Sequence, residues 1–95
     1  MVEGYIEKHL GREVRKMGGR CLKWVSPGNR GVPDRIVILP NGVIHFVELK
    51  APYKTLEPLQ VVWRDRLLAL GCNVHCIDSI DGVNKFMRGL LEGYD

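Results

Sequence analysis

The dipeptide Asn41-Gly42 stands between two apolar runs, Arg35-Ile36-Val37-Ile38-Leu39 before it and Val43-Ile44-His45-Phe46-Val47 after it. Both residue types tolerate the positive φ angles that tight hairpin turns require, and β-branched runs on either flank favour strands. With Pro40 ahead of the pair, the turn reads Pro40-Asn41-Gly42. Such a hairpin dictates what meets at its open end, because the start of the first strand lies beside the end of the second. Asp34 is thereby set next to Glu48 and Lys50. The last two project together, since residues two apart on a strand share a face.

Two carboxylates and an ammonium at one point are costly unless a cation or an anionic substrate compensates them. A divalent metal with a phosphodiester satisfies all three groups. An acid followed two residues later by Lys is common by chance, and its ordinary fate is a solvated ion pair at a strand end. What makes this set specific is Pro33-Asp34 at the matching end of the partner strand.

Gly31-Val32-Pro33-Asp34-Arg35, Glu48-Leu49-Lys50-Ala51-Pro52 and Gln60, preceded by the segment from Lys23 to Arg30, resemble the PD-(D/E)XK nuclease superfamily. The branch most similar is the virus-type replication-repair nuclease, VRR-NUC, in its small stand-alone phage form. The resemblance runs from Glu3 to the last helix. It implies a restriction-endonuclease-like α/β core and a Mg²⁺- or Mn²⁺-dependent endodeoxyribonuclease. It also implies a homodimer, selective for branched DNA in the manner of a Holliday-junction resolvase and active in replication, repair or recombination. Hydrolysis would leave a 5′-phosphate and a 3′-hydroxyl.

The same resemblance distributes roles. Asp34 and Glu48 are expected to hold the metal, joined by the backbone carbonyl of Leu49 and by a glutamate of the first helix. Glu3 and Glu7 lie four apart on one helix face, and Glu7 is preferred because Glu3 sits near a terminus prone to fray. Lys50 is expected to orient the attacking water and to stabilise charge on the phosphate oxygens. Gln60 matches the glutamine that borders the site. Two other function classes remain open: a catalytically silent DNA-binding module of the same fold, and a regulatory subunit of a repair complex. The complete acid-acid-lysine set argues against the first. The second would show a large exposed apolar patch and no metal affinity.

Charge agrees with a polyanionic substrate. The net charge is only +3, but residues 1–54 hold ten Lys/Arg against five Asp/Glu, and residues 55–95 hold four against six. A basic field around an acidic site steers nucleic acid, and Lys23, Arg30, Arg35 and Lys54 are the candidate phosphate contacts. The 95 residues suit a single domain, 1–95, with a modest core supported by self-association. Trp24, Trp63 and the helix bearing Phe86, Met87, Leu90 and Leu91 carry the apolar excess that would drive it. Three cysteines do not suggest a disulfide framework. Cys21, Cys72, Cys76, His45 and His75 fit no common zinc spacing and read as buried strand residues. With no signal-peptide pattern and no membrane-spanning run, the expected setting is the cytoplasm of a phage host. No small-molecule cofactor and no membrane partner are expected.

The remaining pattern builds a platform for the hairpin. Tyr5, Ile6, His9, Leu10, Val14 and Met17 recur at helical spacing, with Gly18-Gly19 as the stop. Residues 20–25 read as a strand and 26–32 as a loop. Thr55 is the expected N-cap of a second helix with Leu59, Trp63, Leu67 and Leu70 as its apolar stripe. Asn73–Ile77 reads as a fourth strand, and a last helix follows Asp81. The expected order is α-β-β-β-α-β-α, with a mixed sheet of about four strands flanked by helices.

Overall fold

A computed structural model of the chain describes the backbone of residues 2–93 and the side chains of residues 4–93. Within them run α1 (Val2–Lys16), β1 (Arg20–Lys23), β2 (Arg35–Ile38), β3 (Ile44–Leu49), α2 (Pro58–Ala69), β4 (Asn73–Ile77) and α3 (Ile80–Leu91). This is the expected element order. The strands form one sheet in the order β1-β2-β3-β4. The first two pairings are antiparallel and the third is parallel. The parallel pairing follows from the helical crossover: α2 carries the chain from the end of β3 back to the start of β4.

The hairpin turn forms where the sequence places it. Asn41 has φ 70° and Gly42 has φ 75°, the left-handed conformation these residue types adopt at least cost. Leu39 N–H donates to Val43 O at 2.8 Å, and Gly42 N–H donates to Leu39 O at 3.1 Å. At the far end of the chain's first helix, Gly18 N–H bonds to Arg15 O at 2.9 Å and Gly19 N–H to Val14 O at 3.0 Å. That is the Schellman closure of α1.

One face of the sheet carries the core. Ile6, Leu10 and Val14 of α1, and Val83, Phe86 and Met87 of α3, pack on Val37, Val47, Leu49 and Ile77. Tyr5, placed in the α1 stripe by periodicity, is instead 72% exposed, because one sheet face needs only the narrower Ile6-Leu10-Val14 line. Phe86 and Met87 also depart from expectation. Both are buried in this core, so they add nothing to an exposed apolar excess.

The opposite face is only partly covered. There α2 packs on the edge strand β4, and Leu67 is its buried residue. Leu59 and Leu70, expected in the apolar stripe, are exposed. The N-cap is Glu57 rather than Thr55, with Pro58 at the first helical position, where a missing N–H costs nothing. Leu22, Ile38 and Ile44 on the uncovered strands remain exposed, beside Trp24 and Phe46, whose rings pack 5.1 Å apart. The last helix begins at Ile80, ahead of Asp81, which it was expected to follow, because Ser79 Oγ accepts Gly82 N–H at 2.9 Å and caps it. Among the described residues no helix is long and apolar enough to cross a membrane.

Candidate active site

A row of four residues crosses the partly covered face at one level. Trp24 N–H donates to Asp34 O at 2.9 Å, which continues the β1–β2 pairing past its last strand residues. Arg35 pairs with Val47 across β2 and β3, so the next step of the antiparallel register sets Asp34 opposite Glu48. Glu48 in turn pairs with Cys76 of β4. Trp24, Asp34, Glu48 and Cys76 therefore occupy one line, with the two carboxylates central.

Each carboxylate is held by a donor. Leu49 N–H donates to Asp34 Oδ1 at 3.0 Å, a bond that links the two strands where regular pairing ends. Glu48 is 8% exposed, and Gln60 Nε2 donates to its Oε2 at 3.0 Å. Gln60 is fixed from its other side, because its Oε1 accepts Glu57 N–H at 2.8 Å. Glu57 and Gln60 form a reciprocal capping box at the start of α2. The amide thus has one orientation that satisfies both bonds, with the NH₂ toward Glu48. A helix start has become the support of a site carboxylate.

The approach to this support is sterically specified. Gly31 has φ 97°, and a Cβ there would lie 2.6 Å from the backbone carbonyl of Leu59. No other residue lets the loop before Asp34 lie so close to the first turn of α2. Arg30, exposed on that loop, lines a depression of about 440 Å³ together with Glu57, Pro58 and Gln60. Lys23 and Lys54 are exposed as well.

Lys50 is half-buried, and its N–H donates to Ile77 O at 2.9 Å, which holds the backbone beside β4. Strand alternation sets its side chain on the Glu48 face. The Cys76 thiol reports the same neighbourhood. Its pKa is raised, chiefly by partial desolvation of the otherwise exposed sulfur and then by Glu48 and Asp78, while Lys50 and Arg64 oppose the shift. Arg64 lies one helical turn beyond Gln60 and lines the same narrow cleft as Glu48. Sequence reading missed it, although the four-residue spacing from Gln60 places both on one helix face.

Two expected positions are paired with each other. Arg35, expected as a phosphate contact, is buried at 8% exposure. Its Nη2 lies 2.7 Å from Glu7 Oε2, and its Nη1 is 3.9 Å from Asp34 Oδ2. The same Nη1 donates to Asp34 O at 2.9 Å. Burial of a guanidinium demands such partners, and α1 supplies one. Glu7 is accordingly engaged by Arg35, and it ties α1 to the residue that carries Asp34. The Glu3 side chain lies outside the described residues.

The donor set suits a hard cation. Mg²⁺ keeps several waters and is usually bound through one or two carboxylates together with substrate oxygens, and Asp34 and Glu48 supply two. Among the described residues no three His, Cys, Asp or Glu side chains gather around one point, and backbone or water oxygens can complete such a site. Away from this row, His45 Nδ1 and His75 Nε2 lie 2.9 Å apart, with Phe86 edge-on to both rings. Burial, and then His45, lower the His75 pKa to about 4. All three cysteines are free thiols, and Cys76 is exposed rather than buried.

Comparison with known proteins points the same way. No family model matches the sequence. "Putative nuclease p44" of Acyrthosiphon pisum secondary endosymbiont phage 1 is 58% identical over 79 residues, which span 83% of this chain and 85% of that protein. A solved structure described as "VRR_NUC domain" matches with a TM-score of 0.88 at 34% identity, over 100% of this chain and 99% of its own.

Proposed function

The chain belongs to the VRR-NUC family, and from that premise we propose that it is a divalent-metal-dependent endonuclease hydrolysing DNA phosphodiester bonds at the open end of the β2–β3 hairpin. The observation that carries this reading is the pair Asp34 and Glu48, set opposite each other on adjacent strands with Leu49 N–H on one and Gln60 on the other.

In this reading Asp34, Glu48 and the Leu49 carbonyl would hold Mg²⁺ or Mn²⁺. When bound, such an ion polarises the scissile phosphate and lowers the pKa of a coordinated water. The residues do the rest. Gln60 keeps the Glu48 carboxylate in one orientation, and Arg35, braced by Glu7, steadies the backbone at Asp34. Lys50 orients the attacking water and stabilises the charge that grows on the phosphate oxygens. The water oxygen bonds to phosphorus, the bond from phosphorus to the 3′ oxygen breaks, and the products are a 5′-phosphate and a 3′-hydroxyl. Arg30, Lys23 and Lys54 contact flanking phosphates. We take residues 1–95 as one nuclease domain, acting in the cytoplasm of a phage host.

The substrate reading is branched DNA, cut by a homodimer. Its support is the uncovered sheet face with Leu22, Ile38 and Ile44 exposed, because a contiguous apolar surface of this kind marks an association site. A two-fold dimer presents two sites related like the strands of a four-way junction. Titration calorimetry with Mn²⁺ tests the metal claim. The unmodified chain should bind the ion and Asp34→Ala should bind it far more weakly; equal binding by both would remove Asp34 from the site.

A further inference from the structure

The outward face of α1 carries Lys8, Arg12, Arg15 and Lys16, which line a shallow depression of about 520 Å³ with Gly11 among them. None of them belongs to the hairpin end or to the loops beside it. Lys16 bonds to Glu13 at 2.9 Å, while Lys8, Arg12 and Arg15 form no ion pair with a described residue. Arg15 and Lys16 sit in the last turn of α1, where cations are favoured by the helix dipole. Lys8 and Arg12 lie further back, where that favour has faded. Lys8 and Arg12 are spaced four apart, an arrangement in which like charges destabilise a helix; Glu13 offsets Lys16 and, more weakly, Arg12, and leaves Lys8 and Arg15 without such an offset.

Gly11 adds a second, independent observation. Mid-helix glycine is unfavourable relative to alanine, and packing does not demand it here, since an added Cβ would meet nothing within 4 Å. One face of α1 thus combines mutually repelling cations with a bare stretch of backbone. Both disadvantages are offset if an anionic chain lies along that face, drawn by the cations and brought close to the helix where no side chain intervenes.

We infer that this face of α1 is a second track for a nucleic-acid phosphate backbone, separate from the contacts at the hairpin end. Lys8 to Arg15 spans roughly 10 Å of helix axis, against one charge per ~1.7 Å of duplex, so several phosphates fall within reach. The track rests on the nuclease reading, and α1 packs on the sheet face opposite the Asp34–Glu48 row, so these cations lie apart from the hairpin-end contacts. A branched substrate, with more than one duplex arm, would supply DNA to both surfaces.

The test is the salt dependence of binding to a fluorescently labelled duplex in EDTA, where cleavage is suppressed. Removing one cation that pairs with a phosphate lowers the slope of log affinity against log salt by about one, so Arg12→Ala/Arg15→Ala should lower it by about two. Gly11→Ala should raise the Tm yet weaken duplex binding several-fold. An unchanged slope in the double variant, undiminished binding by Gly11→Ala, or absence of duplex binding by the unmodified chain overturns the inference. Cleavage with Mn²⁺ by the same proteins reports separately on the proposed function, which can fail while the track stands or stand while the track fails.

Discussion

Gln60 serves two bonds with one amide, and the two can be separated by substitution. Its Oε1 completes the cap of α2 at Glu57 N–H, and its Nε2 donates to Glu48. Gln60→Glu retains an acceptor for the cap but removes the donor and sets a second negative charge beside Glu48. We expect its Tm to stay near that of the unmodified chain, with cleavage reduced about tenfold or more. Gln60→Leu removes both bonds and should lose about 1 kcal/mol of stability as well, which thermal melts beside cleavage rates would show. At this scale the sequence was most legible where geometry is local. Asp34 and Glu48 meet because the turn between them sets the register. The burial of Arg35 was not legible because it depends on Glu7 of α1, far away in the chain. Arg64 went unseen because the cleft it lines exists only once α2 has docked.

The elements tell a similar story. Periodicity identified every helix and strand, and the Asn41-Gly42 turn specified the hairpin. Periodicity could not say how much of α2 would be covered, since that depends on its position over the edge strand β4. The N-cap moved from Thr55 to Glu57 because Gln60 supplies the reciprocal partner three residues on. The histidine pair between β3 and β4 makes the packing of α3 sensitive to acid. The His75 pKa is about 4 in the fold, against ~6.5 in an unfolded chain. Between those values the unfolded state binds the extra proton, so stability is fully present above about pH 6.5 and declines as the pH falls toward 4. Melts at about pH 7 and about pH 5 should show a large drop in Tm for the unmodified chain and a smaller one for His75→Phe. Equal drops would mean that His75 does not carry the acid sensitivity.

Across the whole molecule, one sheet face is closed by α1 and α3, while the other is left open beside the candidate site. Composition indicated an apolar excess but assigned part of it to Phe86 and Met87, which the core absorbs. Leu91 of the same helix does stay exposed, and Leu22, Ile38 and Ile44 are exposed on the sheet, where only the strand order reveals that these three share one surface. Sedimentation equilibrium should therefore find a dimer that Ile38→Lys/Ile44→Lys converts to a monomer, with paired cutting of a four-way junction abolished. An unmodified monomer that cuts linear duplex as fast as a junction would contradict the dimer and leave the site intact. The cation should matter in a defined way. Mg²⁺ or Mn²⁺ should support turnover, and Ca²⁺, which tolerates looser geometry and more ligands, should support DNA binding with little cleavage. Full activity after EDTA treatment would exclude the metal reading.

The central claim is that Glu48, set opposite Asp34 by the hairpin, belongs to a working hydrolytic site. Single-turnover cleavage of a labelled four-way junction with Mn²⁺, comparing the unmodified chain with Glu48→Ala of matched Tm, tests it most directly. A fall of about a hundredfold or more is predicted, the scale expected when stabilisation of developing charge is removed. Cleavage by Glu48→Ala at the unmodified rate would contradict the account.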